Sequence, residues 1–173
     1  DKTGTITAGR PSVVEIVAES MAEDDLLALA AAVERGSEHP IGRAVVEAAA
    51  ERALELTAVS GLRALPGFGI EGRVGGSAVA IGSRAMMSRE GLAVTNDLES
   101  TAARLEEQGK TLLFVAADGV VEGLMAVSDA PRADSKQAVV SLRKKGLEVI
   151  MLTGDNERTA RAVAQQVGID RVF

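Results

Sequence analysis

The sequence predicts an α/β protein made of two units, with an antiparallel α+β unit inserted into a parallel-type α/β unit. Three observations predict it. Two turn signals, Gly75-Gly76 and Asp118-Gly119, each separate short β-rich runs, as antiparallel hairpins require. After Ser128 the pattern becomes helix, short continuous apolar run, helix, as for a parallel sheet covered by helices. The N-terminal string Asp1-Lys2-Thr3-Gly4-Thr5 is a tight polar loop that belongs with this second pattern. The expected division is residues 1–9 and 128–173 for the α/β unit and 10–127 for the insert, with no internal repeat or low-complexity tract.

The elements follow in order. The run from Ile6 to Glu19 is β-rich through Val13, Val14, Ile16 and Val17 and is broken by Pro11. Asp24 and Asp25 are acidic starters for a helix that carries Leu26, Leu29, Ala30 and Val33 and ends at Gly36. Pro40 begins a second helix at its first turn, where a missing N–H costs little. Leu56 to Leu65 is a strand-like run interrupted by Gly61, followed by a hairpin of Ile70 to Val74 and Val79 to Ile81. Asn96 is the expected cap of a helix that runs to Gln108 and closes at Gly109. Thr111 to Ala117 and Val120 to Val127 form the next hairpin. Beyond it come a helix from Arg132 to Lys145, a strand over Glu148 to Leu152 buried on both faces, and a helix from Asn156 to Val167.

Composition excludes several function classes. The chain has 173 residues, with 19 Lys+Arg against 25 Asp+Glu, one His and no Cys. Without Cys there is no disulfide framework, thiolate zinc site or Fe–S cluster. A net charge of −6 with three Phe and no Trp or Tyr argues against a nucleic-acid partner, which needs phosphate-neutralising charge and stacking platforms. The longest apolar run, Leu26 to Val33, falls short of the roughly 18 residues a membrane span needs. The scattered methionines fit core packing better than copper ligation. The start at Asp1, without a leading apolar strand, gives the expectation of a piece of a longer chain.

The chemistry concentrates at the N-terminus. A carboxylate can attack the γ-phosphate of ATP when a flexible loop presents N–H donors to the phosphate oxygens, and Gly4 supplies that flexibility. Read alone, Asp1-Lys2 is an ordinary polar turn. Asp1-Lys2-Thr3-Gly4-Thr5, continued by Ile6-Thr7 and Gly9, resembles the phosphorylation motif of P-type ATPases in full. The resemblance implies a partial haloacid-dehalogenase-like Rossmannoid phosphorylation domain with an inserted α+β nucleotide-binding domain. It implies that Asp1 is the phosphorylated nucleophile, with Lys2 and Thr3 beside it. Related phosphatases often carry a second Asp where this chain has Thr3. Losing that acid/base is expected to slow hydrolysis of the acyl phosphate.

Met151-Leu152-Thr153-Gly154-Asp155-Asn156 is the second match, at a strand-to-helix handover that points donors at a phosphate. The resemblance gives Thr153 a contact with the transferred phosphoryl group and places Asp155 near the hinge; Asp155 or Asn156 also suits a helix cap. Asp129-Ala130-Pro131-Arg132 lies where the two units rejoin. Asp129 and Arg132 there either tie the nucleotide across the hinge or flank a helix that Pro131 starts.

Ser37-Glu38-His39-Pro40 resembles the signature of the heavy-metal branch of P-type ATPases, in which the histidine orients the adenine nucleotide. Pro66-Gly67-Phe68-Gly69-Ile70-Glu71-Gly72 contains a G-x-G-x-x-G string. It continues into strand rather than helix, so a dinucleotide-binding turn is rejected and close backbone approach to a ligand is preferred. The resemblance carries nucleotide contacts to Glu34, Gly67, Gly69 and Ile70. At Ser83 many relatives have Asn, so this chain has a shorter polar group.

The expected function is therefore the ATP-binding and phosphorylation region of a metal-exporting P-type ATPase. Its cofactors are ATP and Mg²⁺, with Asp1 and Thr3 holding the Mg²⁺. Its partners are the membrane and actuator domains of the same chain, and it is a cytoplasmic part of an integral plasma- or inner-membrane protein that does not itself bind the transported metal. Glu38 leans the reading toward Cu(I) over Zn/Cd/Co. The alternatives are a haloacid-dehalogenase-type phosphatase and a non-catalytic nucleotide-binding module. On the same resemblance the chain stops before the family's Gly-Asp-Gly-x-Asn-Asp segment, so it is expected to bind ATP without turning it over.

Overall fold

A computed structural model describes residues 1–154 and 157–173. Its larger part is a six-stranded, wholly antiparallel sheet built from β1 (Ser12–Ala18), β2 (Val59–Leu65), β3 (Gly69–Val74), β4 (Ser77–Gly82), β5 (Thr111–Ala117) and β6 (Val120–Ser128). The spatial order is β1-β6-β5-β4-β3-β2. Both expected hairpins form. Gly75 and Gly76, and likewise Asp118 and Gly119, have positive φ at both turn positions, which matches the strand twist.

Alternation along the strands divides the core. Leu112, Phe114 and Ala116 of β5 face one side, with Leu124 and Ala126 of β6. Val115 of β5 and Met125 of β6 face the other. The first side is covered by α3 (Arg84–Arg89) and α4 (Asn96–Glu107) through Met86, Met87, Leu98, Ala102 and Leu105. The second is covered by α1 (Glu23–Glu34) and α2 (Pro40–Glu51) through Leu26, Leu27, Ala30, Val33 and Val45. Helix α1 lacks a side-chain cap, but Glu23, Asp24 and Asp25 in its first turn offset its exposed N–H groups and dipole.

The smaller part pairs β7 (Ile150–Met151) in parallel with β8 (Arg171–Val172), beside α5 (Ser135–Lys144) and α6 (Glu157–Val167). Met151, Val139, Ala160, Val163 and Val167 form its core. Two chain crossings join it to the large sheet. Thr7 bridges Pro131, the Ala8 N–H donates to the Ala130 carbonyl at 3.0 Å, and the Arg132 N–H donates to the Ile6 carbonyl at 2.9 Å.

Several expectations need correction. The cap of α4 is Thr95, whose hydroxyl accepts from the Leu98 N–H, and Asn96 is the first helical residue. Pro131 does not start a helix. It sits in the crossing to Thr7, and α5 begins only at Ser135. The strand over Glu148 to Leu152 shrinks to Ile150–Met151, with Met151 buried but Ile150 38% and Leu152 56% exposed. In a two-stranded sheet only the face turned to α6 is covered, so burial alternates. Helix α3 was not expected, because a run as short as Arg84–Arg89 shows little periodicity.

Candidate active site

A cavity of about 1230 Å³ opens between the two parts. The N-terminal turn and Thr153-Gly154 contribute to its lining, together with the α1–α2 connection, the β2–β3 corner and the start of α3.

Asp1, Lys2 and Thr3 enter the cavity wall from a tight turn. The Thr7 N–H closes it by donating to the Lys2 carbonyl at 3.0 Å, and Gly4 takes φ 76. The Gly4 N–H donates to the Thr7 hydroxyl oxygen at 3.3 Å. Lys2 is buried, whereas Asp1 and Thr3 are exposed. The Lys2 N–H donates to the Leu152 carbonyl at 3.1 Å, which sets this turn beside Thr153. Asp155, expected nearby, lies outside the described residues.

Asp129 stands at the crossing. Its Oδ2 accepts from the Thr7 hydroxyl at 2.5 Å and its Oδ1 from the Arg10 N–H at 3.2 Å. One carboxylate thus fastens the outgoing strand to the returning one while lining the cavity. Arg132 pairs with Asp134 at 3.4 Å and is not among the lining residues.

His39 caps α2. Its Nδ1 accepts from the Ile41 N–H at 3.3 Å, so the neutral ring carries its proton on Nε2 and keeps one donor. Glu34 ends α1 and is 6% exposed. Gly42 is what lets it lie there, since a Cβ at Gly42 would come 2.3 Å from Glu34 Oε2 and 2.9 Å from Ser37 Oγ. Burial pushes the Glu34 carboxyl above its ordinary 4.5, and the hydrogen bond from Ser37 opposes the shift. A carboxyl with a raised folded-state pKa binds more protons folded than unfolded, so stability falls as pH rises from about 4.5 through the raised value. Glu34→Gln should therefore flatten the fall in Tm between acid and neutral pH, which a thermal melt series at several pH values will read.

Gly67, Gly69 and Ile70 form the β2–β3 corner. Gly67 has φ 79, with nothing within 4 Å of where a Cβ would stand. Gly69 faces Gly82 across the β3–β4 pair, and a Cβ on Gly69 would lie 2.0 Å from the Ile81 carbonyl oxygen. Ser83 caps α3, its hydroxyl accepting from the Met86 N–H at 3.4 Å. A short hydroxyl serves that cap well.

The whole chain, residues 1–173, matches the haloacid dehalogenase-like hydrolase family. The chain belongs to the haloacid dehalogenase-like hydrolases. Among its relatives is the copper-transporting P-type ATPase of Rhizobium leguminosarum bv. viciae, 46% identical over 99% of this chain and 20% of that protein. A solved zinc-transporting PIB-type ATPase in the E2.Pi state is 36% identical, with TM-score 0.73, over 100% of this chain and 28% of the other. The catalytic domain of the CPx-ATPase CopB-B, studied for conformational changes upon nucleotide binding, is 25% identical with TM-score 0.74 and covers 100% of this chain and 58% of that one. The chain spans 20% to 23% of the length of curated relatives.

P-type ATPases and haloacid dehalogenase-like folds use Mg²⁺ in general. Among the described residues no group of three or more His, Cys, Asp or Glu is placed to hold a metal. The donors at the turn, the Asp1 carboxylate and the oxygens of Thr3, are hard oxygens. They fit Mg²⁺, which binds through one or two carboxylates and takes its other ligands from phosphate and water.

Sequence reasoning missed Gly42 and Glu106, and it named Arg84 only within the string Gly82-Ser83-Arg84, without a role. All three line the cavity.

Proposed function

We propose that this chain is the ATP-binding and phosphorylation segment of a metal-exporting P-type ATPase, with Cu(I) as the exported ion. One observation carries the reading: a single cavity is lined both by the Asp1-Lys2-Thr3 turn with Thr153 and by Glu34, His39, Gly67, Gly69 and Ile70. Residues 10–127 hold the nucleotide, and residues 1–9 with 128–173 carry the phosphoryl site. The Nε2–H of His39 and the Glu34 carboxyl orient the adenine, while Gly67 at the β2–β3 corner leaves open space for its close approach. A carboxylate oxygen of Asp1 attacks the γ-phosphorus, the bond to the ADP bridging oxygen breaks, and ADP leaves. Thr153 donates to the transferred phosphoryl group. Ser83 holds the wall behind the nucleotide through its cap on α3, and Asp129 holds the crossing between the two parts. When bound by Asp1 and Thr3, Mg²⁺ supplies charge neutralisation at the phosphates.

The segment works on the cytoplasmic side of a membrane pump, with the membrane and actuator domains of the same protein as partners. No helix among the described residues is long and apolar enough to cross a membrane. Copper is preferred because relatives at 44% and 46% identity are named for copper. The zinc-transporting neighbour supports a second reading with zinc as cargo. Titrating the isotope-labelled chain with ATP while following amide NMR signals tests the nucleotide site. Shifts should concentrate at Glu34, His39, Gly67, Gly69 and Ile70; an unchanged spectrum at millimolar ATP rejects it.

A further inference from the structure

The two parts also meet away from the crossing. The crossing is narrow and runs through the backbone around Thr7 and Pro131. Two neighbouring segments of that kind make a hinge, about which the parts are free to turn. The turn is restrained on one side of the cavity, where α6 packs on the end of α4 and on the corner that leads into β5.

Three contacts build this second junction. The hydroxyl of Thr159 on α6, fully buried, donates to the Lys110 carbonyl at 2.7 Å. Arg158 Nη1 of α6 pairs with Glu106 Oε2 of α4 at 3.4 Å. The third contact is a backbone fit. Gly109 follows α4 with φ 80, and a Cβ there would come 3.2 Å from Val163 Cγ2 and 3.5 Å from the Ala162 Cβ. Glycine thus supplies both the left-handed turn and the close approach of α6. The corner is itself anchored to β1, because Lys110 Nζ and Arg104 Nη2 pair with the two carboxylate oxygens of Glu15 at 3.0 and 2.8 Å.

The chemistry of the junction is that of a contact that opens. The Glu106 side chain is 7% exposed and that of Arg158 60%. A small, polar interface leaves two parts able to separate, whereas a large apolar one would fuse them. On separation water takes up Glu106, Arg158 and Thr159, so only the modest net worth of their hydrogen bonds opposes opening.

We propose that Thr159, Arg158, Glu106 and Gly109 form a releasable clasp between α6 and the α4–β5 corner, which holds the two parts at a fixed angle without any ligand. Thr153 precedes α6 in the chain, and Glu106 and Thr111 line the same cavity. The clasp therefore sets how far Thr153 stands from the β2–β3 corner. The inference concerns the geometry of the chain and does not depend on what the cavity binds.

The chain has no Cys, so Ser100→Cys on α4 and Gln165→Cys on α6, both at exposed positions, place two spin labels unambiguously. Pulsed EPR on the labelled chain without ligand should give one narrow distance distribution. Thr159→Val keeps the side chain's shape but removes its donor, and should raise the longer-distance population about two- to tenfold. Thr159→Ser keeps the donor and loses a methyl, and should leave the distribution narrow. Arg158→Glu sets a second carboxylate against Glu106 and should lengthen the distance as Thr159→Val does. Arg158 is exposed, so this variant keeps its fold and carries the test if Thr159→Val unfolds. An unchanged circular dichroism spectrum separates opening from unfolding. A broad distribution before any clasp substitution, equal opening in Thr159→Val and Thr159→Ser, or no change in Arg158→Glu overturns the inference.

Discussion

On the proposed reading, Asp1→Asn in the full-length protein is expected to abolish the acid-stable phosphoenzyme formed from ATP labelled at the γ-phosphate. The amide matches the carboxylate in size but lacks the anionic oxygen that attacks phosphorus. Asp1 is exposed, so the substitution removes the reacting group and little else. Tm should move by no more than the equivalent of about 0.5 kcal/mol, as for other surface changes. ATP affinity should hold or rise slightly, because one negative charge leaves the neighbourhood of the phosphates. Loss of labelling together with loss of ATP binding would instead point to a role in holding the nucleotide.

Gly69→Ala should have the largest effect on the nucleotide wall. Gly69 takes φ 156, and an added Cβ would meet the Ile81 carbonyl oxygen at 2.0 Å, the Gly82 Cα at 2.6 Å and the Met86 sulfur at 2.7 Å. Two of these atoms are backbone of the neighbouring strand, so no rotamer change relieves the contact. Either β3 and β4 separate locally or the corner before β3 is displaced. A backbone misfit of this kind costs about 3 kcal/mol. Chemical denaturation should read that loss, and ATP affinity should fall with it. By contrast, Gly67 has open space around its missing Cβ. At that position the cost comes from φ 79 alone, and Gly67→Ala should be milder, at about 1 kcal/mol.

What was legible in the sequence were features written in a few adjacent residues. Gly75-Gly76 and Asp118-Gly119 announced their hairpins because only such pairs tolerate two positive φ values in succession. Pro40 after His39 announced the start of α2. The strings around Asp1, Glu34 and His39, Gly67-Gly69 and Thr153 lie far apart in the sequence, and the fold brings them to one cavity. Partnership across long sequence distance was not legible. Nothing in Asp129 says that its oxygens will meet the Thr7 hydroxyl and the Arg10 N–H. Arg84, Glu106 and Arg158 are unremarkable helix residues until α3, α4 and α6 stack and one carboxylate lies between two guanidiniums. Gly42 reads as a weak helix residue, although the approach of Glu34 depends on it. At the Thr95-Asn96 pair both residues are good caps, and only the observed Leu98 N–H bond chooses between them.

The proposed role of Asp1 is to accept the phosphoryl group of the nucleotide bound in this cavity. Chemical trapping of the phosphoenzyme in the full-length protein reads that role directly. Borohydride reduces an acyl phosphate to an alcohol, converting a phosphorylated aspartate into homoserine, which peptide mass spectrometry then locates. Homoserine is expected at position 1, dependent on ATP and absent without it. Homoserine at another carboxylate, or ATP-dependent label with Asp1 left unreduced, would contradict it.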